Sequence, residues 1–227
     1  MVNKEEFFYQ SCAEKVRRGN STPFLDPREL TQIKSRLKGE NYLEFKPFDG
    51  AACAILYQEE LPITCLKLNS FQGTHQDLVG TFYHHNLDRH AWGDIIVGES
   101  TYVLVLNTVL DYFLNYIDQI GSSKVKWEVD DIHSMNAYVP SFQPLSIIVP
   151  SLRADLVLAK LLSKSRSQVL DILKNGDFIL NYGSQKKPSI LLKEGDIFSV
   201  RHYGKYQFLK IEGHTKKESL ILNLHKY

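Results

Sequence analysis

Residues 165–176 have the sequence SRSQVLDILKNG, and this stretch contains both the start signal and the stop signal of a helix. Ser165 can cap the first turn while Gln168, three residues later, reaches back to it, which is the capping-box pattern. Apolar residues then recur at helical spacing, and Asn175-Gly176 ends the helix. Arg166 therefore occupies the first helical position, where free backbone N–H groups and the positive end of the helix dipole favour a phosphate.

The residues around this stretch predict a small α+β module. Helical periodicity extends over Leu152–Leu162. If that helix continues far enough, Arg153, Lys160 and Lys164 lie within about 40° of one another on its surface. β-rich runs separated by Gly-containing turns follow, at residues 178–181, 196–203, 206–211 and 220–224. Two helices against a sheet rimmed with Lys and Arg would form a compact positive surface.

The charge of the chain is divided unevenly at Pro150. Residues 1–150 contain 13 Lys+Arg and 19 Asp+Glu, net −6, and residues 151–227 contain 14 and 7, net +7; together they give the formal +1. This asymmetry indicates a basic module for a polyanion joined to an acidic body. The alternative is the imbalance that any chain shows when it is cut at a chosen point. A hydrophobic content of 43% excludes a mostly disordered chain.

The part before Pro150 predicts helices followed by an αβ domain. Helices are expected over residues 3–18 and after Asp26, which with Pro27 and Glu29 fits a capped start. Residues 51–57 and 63–68 predict a β-hairpin. From Ile63 onward the order β-α-β-β-α-β is the ferredoxin-like pattern, although the aromatic strand signature of RNA-recognition motifs is absent.

Three prolines within residues 136–150 indicate a linker, in which residues 146–149 can form a short edge strand. We therefore expect an α+β protein with N-terminal helices, a ferredoxin-like or RNA-recognition-like αβ domain, and a small C-terminal α+β domain with a β extension. The expected parts are residues 1–50, 51–135, a linker at 136–150, and 151–227.

Several short motifs occur in a fixed order in the basic module: Ser165-Arg166-Ser167-Gln168, Asn175-Gly176, Asn181, Lys187-Pro188-Ser189, Glu194-Gly195-Asp196 and Ser199-Val200-Arg201. Together they resemble the S-four-type RNA-binding domain, which is named after a ribosomal protein of the small subunit. The resemblance covers about residues 151–203. It implies that residues 151–227 bind RNA.

A second set of motifs is spread over nearly the whole chain: Phe24-Leu25-Asp26-Pro27-Arg28-Glu29, Gly93-Asp94-Ile95, Ser151-Leu152-Arg153-Ala154-Asp155 and Gly213-His214-Thr215-Lys216-Lys217. The chain resembles the YlmH-type RNA-binding proteins of bacteria, in which an S-four domain follows an N-terminal region and an RNA-recognition-like domain. The resemblance implies a non-enzymatic, ribosome-associated protein of the cytoplasm that binds structured RNA, either ribosomal RNA or tRNA.

The candidate RNA contacts have two origins. The resemblance implies Arg153, Arg166, Asn181 and Arg201. Charge and spacing add Lys160, Lys164, Lys174, Lys186, Lys187 and Lys205, for each of which a solvated surface position is the alternative. We expect Ser165 and Gln168 to act mainly as helix caps, with hydrogen-bond donation to RNA as a secondary role. Asn181 can equally satisfy its own turn.

The strongest alternative to RNA binding alone is the His-rich run HHNLDRH at residues 84–90. Its spacing matches neither a zincin nor a zinc finger, so we expect no metal site. No dinucleotide, P-loop or hydrolase motif occurs, so we expect no cofactor and no catalytic residue. An RNA-modifying or RNA-cleaving enzyme using His84, His85 and Asp88, and a protein-interaction scaffold, remain the rival hypotheses.

The remaining expectations concern partners and compartment. No apolar run approaches about 18 residues, so no membrane-spanning helix is expected. We expect no DNA partner, and a protein partner can bind the acidic N-terminal part. Cys12, Cys53 and Cys65 are expected as free thiols in a reducing cytoplasm.

Overall fold

The computed structural model describes residues 3–227 and shows a mixed α+β structure. Its α-helices are α1 Lys4–Arg17, α2 Pro27–Arg36, α3 His75–His84, α4 Asn107–Tyr116, α5 Ala154–Leu161 and α6 Arg166–Asn175. Its strands are β1 Leu43–Phe45, β2 Ile55–Tyr57, β3 Ile63–Asn69, β4 Trp92–Ile96, β5 Ser100–Leu106, β6 Gln119–Ile120, β7 Ser123–Lys124, β8 Glu128–Asp130, β9 Gln143–Val149, β10 Phe178–Leu180, β11 Gly183–Ser184, β12 Ile197–Val200, β13 Gly204–His214 and β14 Leu220–Lys226. Short 3₁₀ turns lie at Arg89–Ala91 and Ile132–Met135. The chain divides into two compact units, residues 1–139 and 140–227.

The first unit begins with the two predicted helices. The capping box of α2 is confirmed, because Asp26 Oδ1 accepts from the Glu29 N–H at 2.8 Å and Glu29 Oε2 accepts from the Asp26 N–H at 2.9 Å. Ala13, Val16 and Ile33 are buried in the core between these helices.

The predicted hairpin of residues 51–57 with 63–68 is wrong. Strand β2 pairs with β1, and β3 pairs instead with β5 and β8. β1 has only three residues, too few to show the alternation by which a strand is recognised, and the partners of β3 come from later in the chain.

A four-stranded antiparallel sheet forms the middle of the first unit, with strand order β4-β5-β3-β8. The predicted order of elements, β-α-β-β-α-β, is confirmed from β3 to β8, with the short β6–β7 pair added. One face of the sheet packs against α3 and α4 through residues such as Leu66, Phe82 and Phe113. On the other face, Cys65 and Leu104 are buried under a cluster drawn from other segments, namely Phe24, Cys53, Ile55 and Met135. Both faces are therefore largely covered.

The second unit is a six-stranded antiparallel sheet with strand order β11-β10-β12-β13-β14-β9. Helices α5 and α6 pack on one face through Leu158, Val169 and Leu173, which meet Phe198 and Phe208 of the sheet. These contacts form a separate hydrophobic core within residues 140–227.

Part of the predicted linker is structured. Residues 143–149 form the edge strand β9, which pairs with β14 along its whole length. The strand is longer than the predicted 146–149 because Pro144, one of the three prolines that predict a linker, is tolerated on an edge strand.

Candidate nucleic-acid interface

A buried carboxylate joins the starts of the two helices in the second unit. Asp155 lies in the first turn of α5 and its side chain is only 1% exposed. It accepts hydrogen bonds from Arg153 Nε and Nη2, both at 3.0 Å, and from Arg166 Nη2 at 2.9 Å. Arg153 is the N-cap residue just before α5, and Arg166 is the first residue of α6. We call Arg153, Asp155 and Arg166 the Asp155 cluster.

The hydrogen bonds within the Asp155 cluster keep the Asp155 carboxylate ionised. The hydrogen bond from Arg153, followed by the one from Arg166, holds the pKa of Asp155 below its ordinary value. The same carboxylate raises the pKa of Arg153. Two positive charges therefore share one negative charge, and the cluster has a net positive charge at neutral pH.

Both arginines of the cluster also face water. The side chain of Arg153 is 40% exposed and that of Arg166 is 62% exposed. A guanidinium has five N–H donors, and Asp155 occupies two on Arg153 and one on Arg166. The others can donate to an incoming anion without breaking the link to Asp155.

The predicted Lys187 lies on a loop that is held against the start of α5. The Pro188 carbonyl accepts from the Asp155 N–H at 3.1 Å, and the Ile190 carbonyl accepts from the Ala154 N–H at 2.8 Å. The exposed Lys187 therefore belongs to the same end of the second unit as the Asp155 cluster.

Ser165 and Gln168 form the capping box that the sequence predicts. Ser165 Oγ accepts from the Gln168 N–H at 3.3 Å, and Gln168 Oε1 accepts from the Ser165 N–H at 3.0 Å. Their polar groups thus fix the start of α6 and, with it, the position of Arg166.

The side chain of Asn181 is held by contacts with the start of β12. Its backbone has φ of +47°, its Nδ2 donates to Asp196 Oδ1 at 2.8 Å, and its Oδ1 accepts from the Ile197 N–H at 3.0 Å. Its side chain therefore has structural partners, but they belong to the neighbouring strand rather than to its own turn, and an RNA contact by this residue stays a prediction.

The predicted stripe of Arg153, Lys160 and Lys164 along α5 is wrong. α5 spans Ala154–Leu161 rather than 152–162, and Ser163 has φ of +52°, so the chain turns before Lys164. Only Lys160 belongs to the helix, because Arg153 precedes it and Lys164 follows it. The Lys164 ammonium lies 5.9 Å from the Tyr203 ring centroid.

The remaining basic residues lie away from the Asp155 cluster. Lys174 and Lys186 are at the other end of α6, which is about 15 Å from its start because the helix has ten residues. Lys186 is placed there by its Cε atom, which lies 3.5 Å from the position that a Cβ on Gly176 would take. Arg201 Nη1 is 3.8 Å from Asp177 Oδ1. Lys205 lies beside the rings of Tyr182 and Tyr227. The twelve predicted residues therefore do not form one site.

The His-rich run of the first unit is divided between separate contacts. His90 Nε2 lies 2.9 Å from Glu29 Oε1 and its Nδ1 lies 3.0 Å from Asp88 Oδ1. The hydrogen bond with Glu29 is the main cause that raises the pKa of His90. His85 Nδ1 instead lies 3.0 Å from the Tyr112 hydroxyl. Within residues 3–227, no group of three or more His, Cys, Asp or Glu side chains is placed to hold a metal ion.

Sequence reasoning missed two features. The first is the role of Asp155 as an anchor shared by Arg153 and Arg166, for which the sequence contains only a weak signal, an acidic residue two positions after Arg153. An aromatic group made of Phe142, His225 and Tyr227 had no local signal, because residues 142 and 225 meet only through the pairing of β9 with β14.

Comparison with known protein families gives a match in the first unit. A family profile described as "Putative RNA-binding domain in YlmH" matches residues 67–134, which extend from β3 to the turn at Ile132–Met135. This segment has 4 Lys+Arg and 9 Asp+Glu. The match thus lies in an acidic part of the chain, before the basic unit in which the sequence predicts RNA contacts.

Two individual proteins are similar to the chain. It is 31% identical over 228 residues to "Ribosome-associated protein quality control protein P2" of Bacillus subtilis (strain 168), covering 92% of this chain and 88% of that protein. A solved structure, "Cell division protein ylmH from Streptococcus pneumoniae", has 15% identity and a TM-score of 0.47, and the similarity covers 60% of this chain and 97% of that one.

No helix in residues 3–227 is long and apolar enough to cross a membrane. The extent of the similarity to the Bacillus subtilis protein, together with the profile match, shows that the chain belongs to the YlmH family.

Proposed function

We propose that this protein binds structured RNA, ribosomal RNA or tRNA on the ribosome, through its second unit, and that it acts by binding rather than by catalysis. In this proposal residues 151–227 are an S-four-type RNA-binding domain to which β9 adds an edge strand. The observation that carries the proposal is the Asp155 cluster, which holds two exposed guanidiniums at adjacent helix starts.

The chemistry of the cluster fits a phosphate backbone. Arginine presents a planar fork that matches phosphate oxygens, and the free N–H groups at the start of α6 add donors of the same kind. Because Asp155 fixes both side chains, little rotamer freedom is lost when RNA binds. Such contacts fix the orientation of RNA by its backbone shape rather than by its base sequence.

The ribosome as a partner is supported by the family. The Bacillus subtilis relative is named as ribosome-associated, and this chain covers 88% of that protein. We extend ribosome association to this protein on that ground. A cytoplasmic location follows from the same proposal.

The middle sheet is a second candidate for RNA contact, because the family profile at residues 67–134 is described as RNA-binding. Its strand order, with two helices on one face, fits a ferredoxin-like domain. The opposite face, where aromatic strand residues stack bases in RNA-recognition motifs, is largely occupied here by Phe24, Ile55 and Met135. RNA contact by this domain would therefore use its helical side or its loops, and the acidic N-terminal part is proposed to face a protein.

The proposed function is tested by Arg166→Gln. Binding of the full chain to purified bacterial ribosomes is measured by co-sedimentation over a series of salt concentrations. We expect the affinity of the wild-type protein to fall steeply as the salt concentration rises. The variant should bind more weakly, and its plot of log affinity against log salt concentration should be less steep by about the amount due to one phosphate contact.

The matched control is Arg28→Gln, which also removes an exposed arginine paired with an acid, Glu5, at 3.0 Å in the first unit. It should leave both affinity and slope unchanged. Equal affinities of the wild-type protein and Arg166→Gln at every salt concentration would remove the Asp155 cluster from the site.

A further inference from the structure

We propose that the open face of the six-stranded sheet holds a second RNA contact, which takes one unpaired nucleotide. Its base would stack on the ring of Phe142 and its phosphate would meet Lys205. This inference rests on the proposed function in so far as the ligand is RNA, but it concerns the face of the sheet opposite α5 and α6, and not the Asp155 cluster.

The face is defined by the strand register. Cross-strand partners point to the same side of a sheet, and the inward side is filled by Tyr206, Phe208, Leu222 and Leu224. The outward partners include Lys205 with Ser199, Gln207 with Ile197 and His225, Asn223 with Ser146, and Ile221 with Ile148. None of these nine residues is acidic, and six are polar.

Three rings gather at one end of this face. Phe142 is stacked on His225, with centroids 4.9 Å apart and planes 10° apart, and Tyr227 meets Phe142 edge-on at 4.9 Å. The Tyr227 hydroxyl donates to Gln207 Oε1 at 3.4 Å. Phe142 is 37% exposed and Tyr227 is 42% exposed. The rings are therefore held by contacts with one another and still present surface to water.

A cation is fixed beside these rings. The Lys205 ammonium lies 4.8 Å from the Tyr227 centroid and 5.5 Å from the Tyr182 centroid. The Tyr227 N–H also donates to the Lys205 carbonyl at 3.0 Å, so ring and cation are joined by backbone as well. A stacking ring next to a positioned ammonium is the arrangement by which proteins hold unpaired nucleotides.

Charge and polarity favour RNA over a protein segment as the occupant. Residues 151–227 have a net charge of +7, and Lys205 and Lys210 extend that charge onto the open face. A docked helix or sheet would need a continuous apolar surface, whereas Ser146, Gln207 and Asn223 interrupt this one. A base and a phosphate need only the ring and the cation.

The test uses the full chain with two fluorescein-labelled RNAs in anisotropy titrations, a short oligouridine and a closed hairpin without a single-stranded tail. Phe142→Leu keeps an apolar side chain but removes the ring. We expect it to weaken oligouridine binding at least about fivefold and to leave hairpin binding unchanged. Phe142→Tyr retains the ring and should bind both RNAs as the wild-type protein does.

Ile148→Ala is the matched control, because Ile148 is an exposed apolar residue on the same face. It should bind oligouridine normally. Thermal unfolding of each variant shows that the fold is kept. The inference is overturned if oligouridine does not bind, or if it binds equally well to Phe142→Leu and to the wild-type protein. Hairpin binding by the wild-type protein would still leave the proposed function intact in that case.

The reverse outcome is also distinct. If the wild-type protein binds neither the hairpin nor the ribosome but binds oligouridine in a way that depends on Phe142, the proposed function is contradicted and this inference is supported. Photoreactive benzoylphenylalanine at position 142, irradiated on ribosomes, separates the two classes of occupant. We expect cross-links to RNA, and cross-links to ribosomal protein alone would overturn the inference.

Discussion

Among single residues, Asp155 has the largest consequence for the candidate interface. Its carboxylate is buried and accepts three hydrogen bonds from two arginines, one just before α5 and one at the first position of α6. The sequence predicts where Arg166 lies, because a capping box is a local signal read over four residues. It does not predict the shared anchor, because the contact of Asp155 with Arg166 depends on how α5 and α6 pack.

The stability of the second unit should depend on this charge. We expect Asp155→Asn to lower the free energy of unfolding by about 2 kcal/mol, because charge-assisted hydrogen bonds are lost and the new amide group faces donors. Chemical denaturation of the full chain, followed by a probe in residues 140–227, measures the change. Asp171→Asn, at an exposed position of α6, should cost far less.

The same variant tests the pH dependence. The pKa of Asp155 is lowered in the folded state, so its stabilisation is present above the unfolded value of about 3.9 and is lost as the pH falls through the folded pKa. Wild-type stability should therefore fall more steeply in acid than that of Asp155→Asn. Parallel acid profiles for the two proteins would show that the cluster adds no stability.

Among the helices and strands, local elements were predicted and their partners were not. The capped starts of α2 and α6 and the order of elements from β3 to β8 follow from periodicity and turn residues. The pairing of β2 with β1, and the extension of β9 along β14, depend on contacts between distant segments. Pairing of this kind is set by tertiary packing, which local patterns do not contain.

The contact of α2 with the segment before β4 gives a prediction at this level. His90 lies between Glu29 of α2 and Asp88, with the Phe8 ring 4.6 Å from its centroid. Its pKa is raised, chiefly by Glu29, so its stabilisation is full below the unfolded pKa of about 6.5 and is lost as the pH rises through the folded value. We expect the stability of the first unit to decrease from pH 6 to pH 9.

Denaturation followed by a tryptophan signal can measure this, since Trp92 and Trp127 are both buried in the first unit. His90→Gln should remove most of the decrease. His84→Gln, at an exposed position of α3, should retain it. A decrease of the same size in His90→Gln would show that the Glu29 contact does not carry the pH dependence.

For the whole molecule, the division of charge at Pro150 agrees closely with the division into two compact units at residues 139 and 140. The net charge of +1 conceals an acidic first part and a basic second part. The sequence therefore predicts which unit suits a polyanion, and long-range attraction to phosphates should favour that unit. It does not predict the open sheet face, which exists only once β9 pairs with β14.

The family profile and the charge distribution point to different units, since the profile lies at residues 67–134 and the Asp155 cluster lies after residue 150. The most direct measurement is ultraviolet cross-linking of the full chain to ribosomes, followed by mass spectrometry of the RNA-linked peptides. The proposal predicts linked peptides from residues 151–227, including the peptide that contains Arg166. Linked peptides confined to residues 67–134, or none at all, would contradict it.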